Sequence, residues 1–114
     1  MDAQEIFDTV ARHLLTQKAR AEDNLGCMYH APDGKKCAVG CLITDEEYSP
    51  SMENTAISDL INNNRLKRLS PFQGLLQDLQ YVHDRILPEE WPFRLRDFAS
   101  AHHLSPAVLK EFEE

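Results

Sequence analysis

The run Ser70-Pro71-Phe72-Gln73-Gly74-Leu75-Leu76-Gln77-Asp78-Leu79-Gln80-Tyr81-Val82-His83-Asp84-Arg85-Ile86 sets the character of the whole chain. Leu75, Leu76, Leu79, Val82 and Ile86 recur at helical spacing and put one apolar stripe on a polar rod. Ser70 offers a capping hydroxyl, Gln73 completes a capping box, and Pro71 suits the first helical position, where a missing N–H costs nothing. Pro88 stops the helix. A single stripe needs other helices to cover it, so the search moves outward for partners.

Downstream, Glu89-Glu90-Trp91-Pro92 reads as a tight corner. A helix then runs from Phe93 to about His102 with Leu95, Phe98 and Ala99 inward. His102 and His103 suit its C-terminal dipole. Ser105-Pro106 starts a last short helix burying Val108, Leu109 and Phe112. Upstream, Ser49-Pro50 carries the same start signal, followed by Met52, Ala56, Ile57, Leu60 and Ile61 on one face, and Asn62-Asn63-Asn64 ends that helix. At the front, Asp2 and Glu5 have capping-box spacing, and Ile6, Phe7, Val10, Ala11, Leu14 and Leu15 form a stripe to about Lys18.

The stretch from Leu25 to Val39 differs. Cys27-Met28-Tyr29-His30 and Lys35-Lys36-Cys37-Ala38-Val39 flank Pro32-Asp33-Gly34, a turn in which Pro presets φ, Asp bonds its own backbone and Gly accepts positive φ. This predicts a small β-hairpin, which must pack on helices because an isolated pair of strands is marginal in water. The expected fold is mainly α (α+β), about five helices packed with one small β-hairpin, in a single small globular domain over residues 1–114.

Composition bounds the function. The chain has 114 residues, 42% hydrophobic and 27% charged, enough apolar material to close a core. Its longest apolar run, Cys37 to Ile43, falls far short of the about twenty residues of a membrane span. No basic segment with an apolar core opens the sequence, so no secretory signal is expected and the expected location is the cytoplasm. Net charge is −7, which argues against a general nucleic-acid binder. Acids dominate residues 43–64, where Asp45, Glu46 and Glu47 adjoin, and only Arg65-Leu66-Lys67-Arg68 forms a basic patch, read as a loop that balances neighbouring acids. An acidic exterior suits steering toward a basic protein partner. A homodimer would also complete the burial of helical stripes.

Cys27-x-Tyr29, Asp33-Gly34-x-Lys36-Cys37-Ala38-Val39-Gly40-Cys41-Leu42-Ile43 and Tyr48-Ser49-Pro50-x-Met52-Glu53 together resemble a family of small proteins from bacteriophages and bacterial genomes. Glu5 to Val10, Leu79-Gln80, His83-Asp84, Trp91 and Phe98 extend the resemblance over most of the chain. That family carries no assigned activity. The resemblance implies a genomic setting, and in a phage the host-cell cytoplasm and a modulator or inhibitor of a host protein complex.

Three constellations could carry chemistry. Cys27, His30, Cys37 and Cys41 supply a zinc-type donor set, which would make the chain a zinc-stabilised module. The alternative is small core thiols, which the apolar setting of Cys37 and Cys41 favours, and then no cofactor is needed. A cysteine nucleophile lacks any local signature beyond Lys35 and Lys36 before Cys37. His83-Asp84 is a dipeptide found on helices of metal-dependent phosphohydrolases, for which His13 or His30 and Asp97 would have to be recruited; the alternative is a half-buried, hydrogen-bonded histidine. No glycine loop for phosphate is present. The reading that survives is a non-enzymatic protein-binding module. Its expected contact residues are Trp91 as an exposed anchor flanked by Glu89 and Glu90, together with the acidic Asp45, Glu46 and Glu47.

Overall fold

The computed structural model describes residues 1–23 and 26–113. It is mainly helical with one two-stranded antiparallel hairpin, as the stripes predict. Helix α1 spans Ala3–Gln17. Asp2 caps it: the Glu5 N–H donates to Asp2 Oδ1 at 2.8 Å and the Asp2 N–H donates to Glu5 Oε1 at 3.1 Å. A cap of this kind stabilises by about 1 kcal/mol. All six predicted stripe residues of α1 are buried, and Lys18 ends the helix in the left-handed region at φ 60°. Four segments cover α1: Gly40–Leu42, Gln73–Arg85, Trp91–Ala101 and Ala107–Phe112. The Phe7 ring stacks on Phe98 with centroids 5.8 Å apart. The Gln4 carboxamide accepts the Ser105 N–H at 2.8 Å and donates to the Ser105 carbonyl at 2.9 Å, tying the front of α1 to the tail.

The hairpin forms one step earlier than the turn signal places it. Strand β1, Glu22–Asp23, pairs with β2, Gly26–Cys27; Glu22 faces Cys27 and Asp23 faces Gly26. The front edge of the predicted hairpin, Leu25, lies outside the described residues. Around Pro32-Asp33-Gly34 only the bridge His30–Lys36 remains. The turn chemistry holds, since the Ala31 N–H donates to the Lys35 carbonyl at 2.8 Å and Gly34 sits at φ 92°. The ladder fails because the Tyr29 and His30 amides donate instead to the Glu53 carboxylate, at 2.9 and 3.1 Å.

The apolar run from Cys37 enters the core, closing in a 3-10 turn at Gly40–Leu42. Gly40 is required by close approach: a Cβ there would lie 2.0 Å from the Tyr29 carbonyl oxygen. The helix predicted from Pro50 to Ile61 is split into a 3-10 turn, Pro50–Met52, and helix α2, Ile57–Asn62. Between them Glu53 and Ala56 are extended and Asn54 adopts φ 63°. That break is what lets Glu53 face Tyr29 and His30.

Ser70-Pro71 does not start a helix. It lies inside a 3-10 turn, Lys67–Phe72, that runs directly into α3, Gln73–Arg85, and no side chain caps α3. A 3-10 turn, Pro88–Glu90, likewise leads into α4, Trp91–Ala101, two residues ahead of the predicted start. The last element, Ala107–Phe112, is 3-10 rather than α, with Ser105 Oγ accepting the Ala107 N–H at 3.2 Å. Among the described residues no helix is long and apolar enough to cross a membrane.

Candidate functional site

His83 is the one fully buried polar side chain among the described residues. Its position on α3, next to Val82 and one turn from Leu79, turns it inward with the stripe. The Ala21 backbone N–H donates to His83 Nε2 at 3.0 Å. An amide can only donate, so Nε2 is unprotonated and Nδ1 carries the hydrogen. Nδ1 therefore donates to Asp84 Oδ1 at 2.7 Å. Gln80 Nε2 donates to the same Oδ1 at 2.9 Å, one helical turn away. The other end of the Gln80 amide accepts the Val39 N–H at 3.0 Å. Arg20 completes the clasp, donating to the carbonyls of His83 and Ile86 at 3.1 and 2.8 Å. The dipeptide His83-Asp84, with Gln80, thus holds two loop segments, 20–21 and 39, onto α3.

Cys27 Sγ joins this cluster. It, a His83 ring nitrogen and an Asp84 carboxylate oxygen lie within 4.8 Å of one another. Burial, followed by the adjacent Asp84 carboxylate, pushes the Cys27 thiol up to about 11. At neutral pH it is a thiol, a poor nucleophile and a poor metal ligand. His83 has no free lone pair to take a proton from it or to bind a metal. Placing a metal on Nδ1 would move the hydrogen to Nε2, against the Ala21 N–H. The donor set does not fit a metal without breaking that hydrogen bond.

The cluster opens into a cleft of about 440 Å³, bounded by Cys27, Tyr29, Glu53, Gln80, Tyr81 and Asp84. Glu53 is itself a hub, accepting the Tyr48 hydroxyl at 2.7 Å besides the two amides of the bridge strand. Tyr29 donates its hydroxyl to the Thr55 carbonyl, and burial pushes its phenol above the ordinary range.

The proposed zinc set is not assembled. His30 Nε2 donates to the Gly40 carbonyl at 2.9 Å and its ring stacks on Tyr48, with centroids 4.3 Å apart. Cys37 Sγ accepts the Gly40 N–H at 3.2 Å, and Cys41 donates to the Ala38 carbonyl at 3.1 Å. Burial raises both thiols, Cys41 to about 12 and Cys37 further. Only Cys27 of that set takes part in a donor cluster among the described residues. His13 and Asp97 do not converge on His83-Asp84 either: His13 hydrogen-bonds the Lys36 carbonyl at 2.8 Å, and Asp97 is exposed on α4.

Trp91 is not an exposed anchor. It is fully buried, and its indole N–H donates to the carbonyls of Val82 and Ile86 at 3.0 and 3.1 Å. The polar residues flanking it in sequence face outward, while the ring turns into the core beside His83. Glu47 is taken by Arg68, whose hydrogen bond drives the carboxyl down to about 2, and Asp45 lies 3.8 Å from Lys36 Nζ. Arg68 thus balances an acid, as the reading of the basic patch expects. Glu46, Glu89 and Glu90 are exposed, with no hydrogen bond or ion pair on their carboxylates among the described residues.

Three aromatic or aliphatic side chains missed by the periodicity reading stand out instead: Tyr81, Leu87 and Phe93, exposed by 59%, 52% and 66%. Each lies off the buried stripe of its helix or in the corner between helices, which was the available signal. No protein-family model, curated protein or solved structure matches the chain.

Proposed function

We propose that the chain is a non-enzymatic protein-binding module whose partner is basic. The observation that carries this reading is a division of labour. The residues capable of chemistry, His83, Asp84, Cys27 and Gln80, are engaged in internal hydrogen bonds or held protonated. The large apolar side chains left outside, apart from Met1, fall within Tyr81–Phe93, where Glu89 and Glu90 carry unpaired charge. Aromatic residues ringed by charge are the usual ingredients of an interface centre and rim. A net charge of −7 speeds encounter with a cationic partner. In the setting that the sequence resemblance implies, the partner belongs to a host complex. Three free thiols fit a reducing cytoplasm.

Capture from host lysate at low and high salt tests this. The wild-type chain should retain a basic protein at low salt and release it at high salt. Retention should fail for Phe93→Ala and for the double variant Glu89→Lys, Glu90→Lys, both folded by circular dichroism. Recovery of no partner at either salt, or of one indifferent to these variants, overturns the reading.

A further inference from the structure

The cleft beside Asp84 is a site in its own right. The hydrogen bonds from His83 and from Gln80 both end on Asp84 Oδ1, and the Cys27 thiol also hydrogen-bonds the carboxylate. The Asp84 side chain is still 32% exposed, and it lines the cleft. Glu53 adds a second negative charge, with both of its oxygens already taken by donors. Tyr81 stands at the opening without a hydrogen-bond partner, its ring exposed. Arg85, also unpartnered and exposed, is the one cation lining the cleft. Two carboxylates against one solvated guanidinium leave the interior negative. An anion entering would meet Glu53 and Asp84, whereas a cation would find a part-exposed carboxylate and an aromatic face.

The geometry points to this cleft as a receptor for a guanidinium or ammonium side chain, an arginine or lysine presented by the basic partner, which passes Tyr81 and hydrogen-bonds the part-exposed Asp84 carboxylate. The inference rests on the protein-binding reading and names the residue type that reading requires. The volume of about 440 Å³ exceeds what one such side chain needs and leaves room for its neighbouring backbone, which the exposed Gln77 and Asn54 amides can meet.

The test uses the full chain, isotopically labelled, titrated with N-acetyl-arginine amide and, as neutral isostere, N-acetyl-citrulline amide, each followed by amide chemical shifts. Arginine should give saturable shifts confined to the cleft, at Tyr29, Asn54, Gln77, Asp84 and Arg85, with an affinity about tenfold above citrulline, the scale of one charge-assisted hydrogen bond. Asp84→Asn keeps an acceptor for His83 and Gln80 and should abolish the preference for arginine. Should that variant unfold, the surface variants decide: Tyr81→Ala should weaken arginine binding, and Arg85→Gln should strengthen it. Equal binding of the two probes, shifts centred elsewhere, or no saturable response overturns the site. The two readings separate cleanly. Arginine binding without any captured protein sinks the module and leaves the cleft; a captured partner indifferent to Tyr81→Ala and Asp84→Asn does the reverse.

Discussion

The Nε2 of His83 accepts the backbone N–H of Ala21 at 3.0 Å, sixty-two residues away in sequence, inside a core with no other fully buried polar side chain among the described residues. This contact fixes the tautomer of the ring and with it the direction of the hydrogen bond to Asp84. His83→Ala leaves the Ala21 amide unpartnered, opens a void beside Trp91 and removes one donor from Asp84. The expected loss is about 2–4 kcal/mol. Urea unfolding followed by the fluorescence of Trp91 measures it, and a loss below about 1 kcal/mol would show the clasp to be incidental.

Gly40→Ala asks two backbones to separate. The added methyl would sit 2.0 Å from the Tyr29 oxygen, which is held by its neighbours rather than free to swing away. The expected cost is about 2–3 kcal/mol, at the upper end for overpacking. A melting temperature equal to wild type would contradict the close approach.

Glu47 links stability to acid. Its hydrogen bond from Arg68 lowers the folded-state pKa to about 2, below the ordinary 4.5, so the folded form resists protonation more than the unfolded one. The contribution is complete above about pH 5 and disappears as pH falls toward 2. Arg68 is half exposed, so the effect is no more than about 1 kcal/mol. Glu47→Gln should destabilise at pH 7 and match wild type near pH 2; an equal deficit at both pH values would refute the linkage.

Thiol chemistry offers an independent check on the cleft. Cys27 at about 11 and Cys41 at about 12 predict slow reaction with a disulfide reagent at pH 7.5, and Cys37 should be slowest because it is fully buried. All three should react promptly in denaturant. Asp84→Asn removes a charge beside Cys27 and should raise its rate alone. Fast reaction of native Cys27 would mean that the thiol is activated after all.

Local chemistry was readable where one residue answers its sequence neighbours. The Asp2–Glu5 cap, the six-residue stripe of α1 and Leu76, Leu79 and Val82 of α3 appear where spacing puts them, while Leu75 is only partly buried and His83, expected half-buried, is fully buried. What spacing does not encode is competition between distant groups. Glu53, in the extended stretch after Met52, takes the amides of Tyr29 and His30 and shortens the hairpin. Nothing within four residues of Glu53 signals that. Trp91 misleads in the opposite way: prolines and glutamates beside it suggest a surface, yet a helical turn carries each neighbour outward and the indole in. The partnership of Cys27 with His83-Asp84, rather than with Cys37 and Cys41, depends on where the short hairpin docks, and only the assembled fold shows it.

The way the tail lies across α1 bears on how the molecule is made. Helix α1 takes part of its cover from Trp91–Ala101 and Ala107–Phe112, with Phe7 stacked on Phe98, and Gln4 is secured by Ser105. During translation the apolar face of α1 therefore emerges ahead of the segments between Trp91 and Phe112 that cover part of it. That part of its face stays exposed to solvent for as long as synthesis of the intervening residues takes.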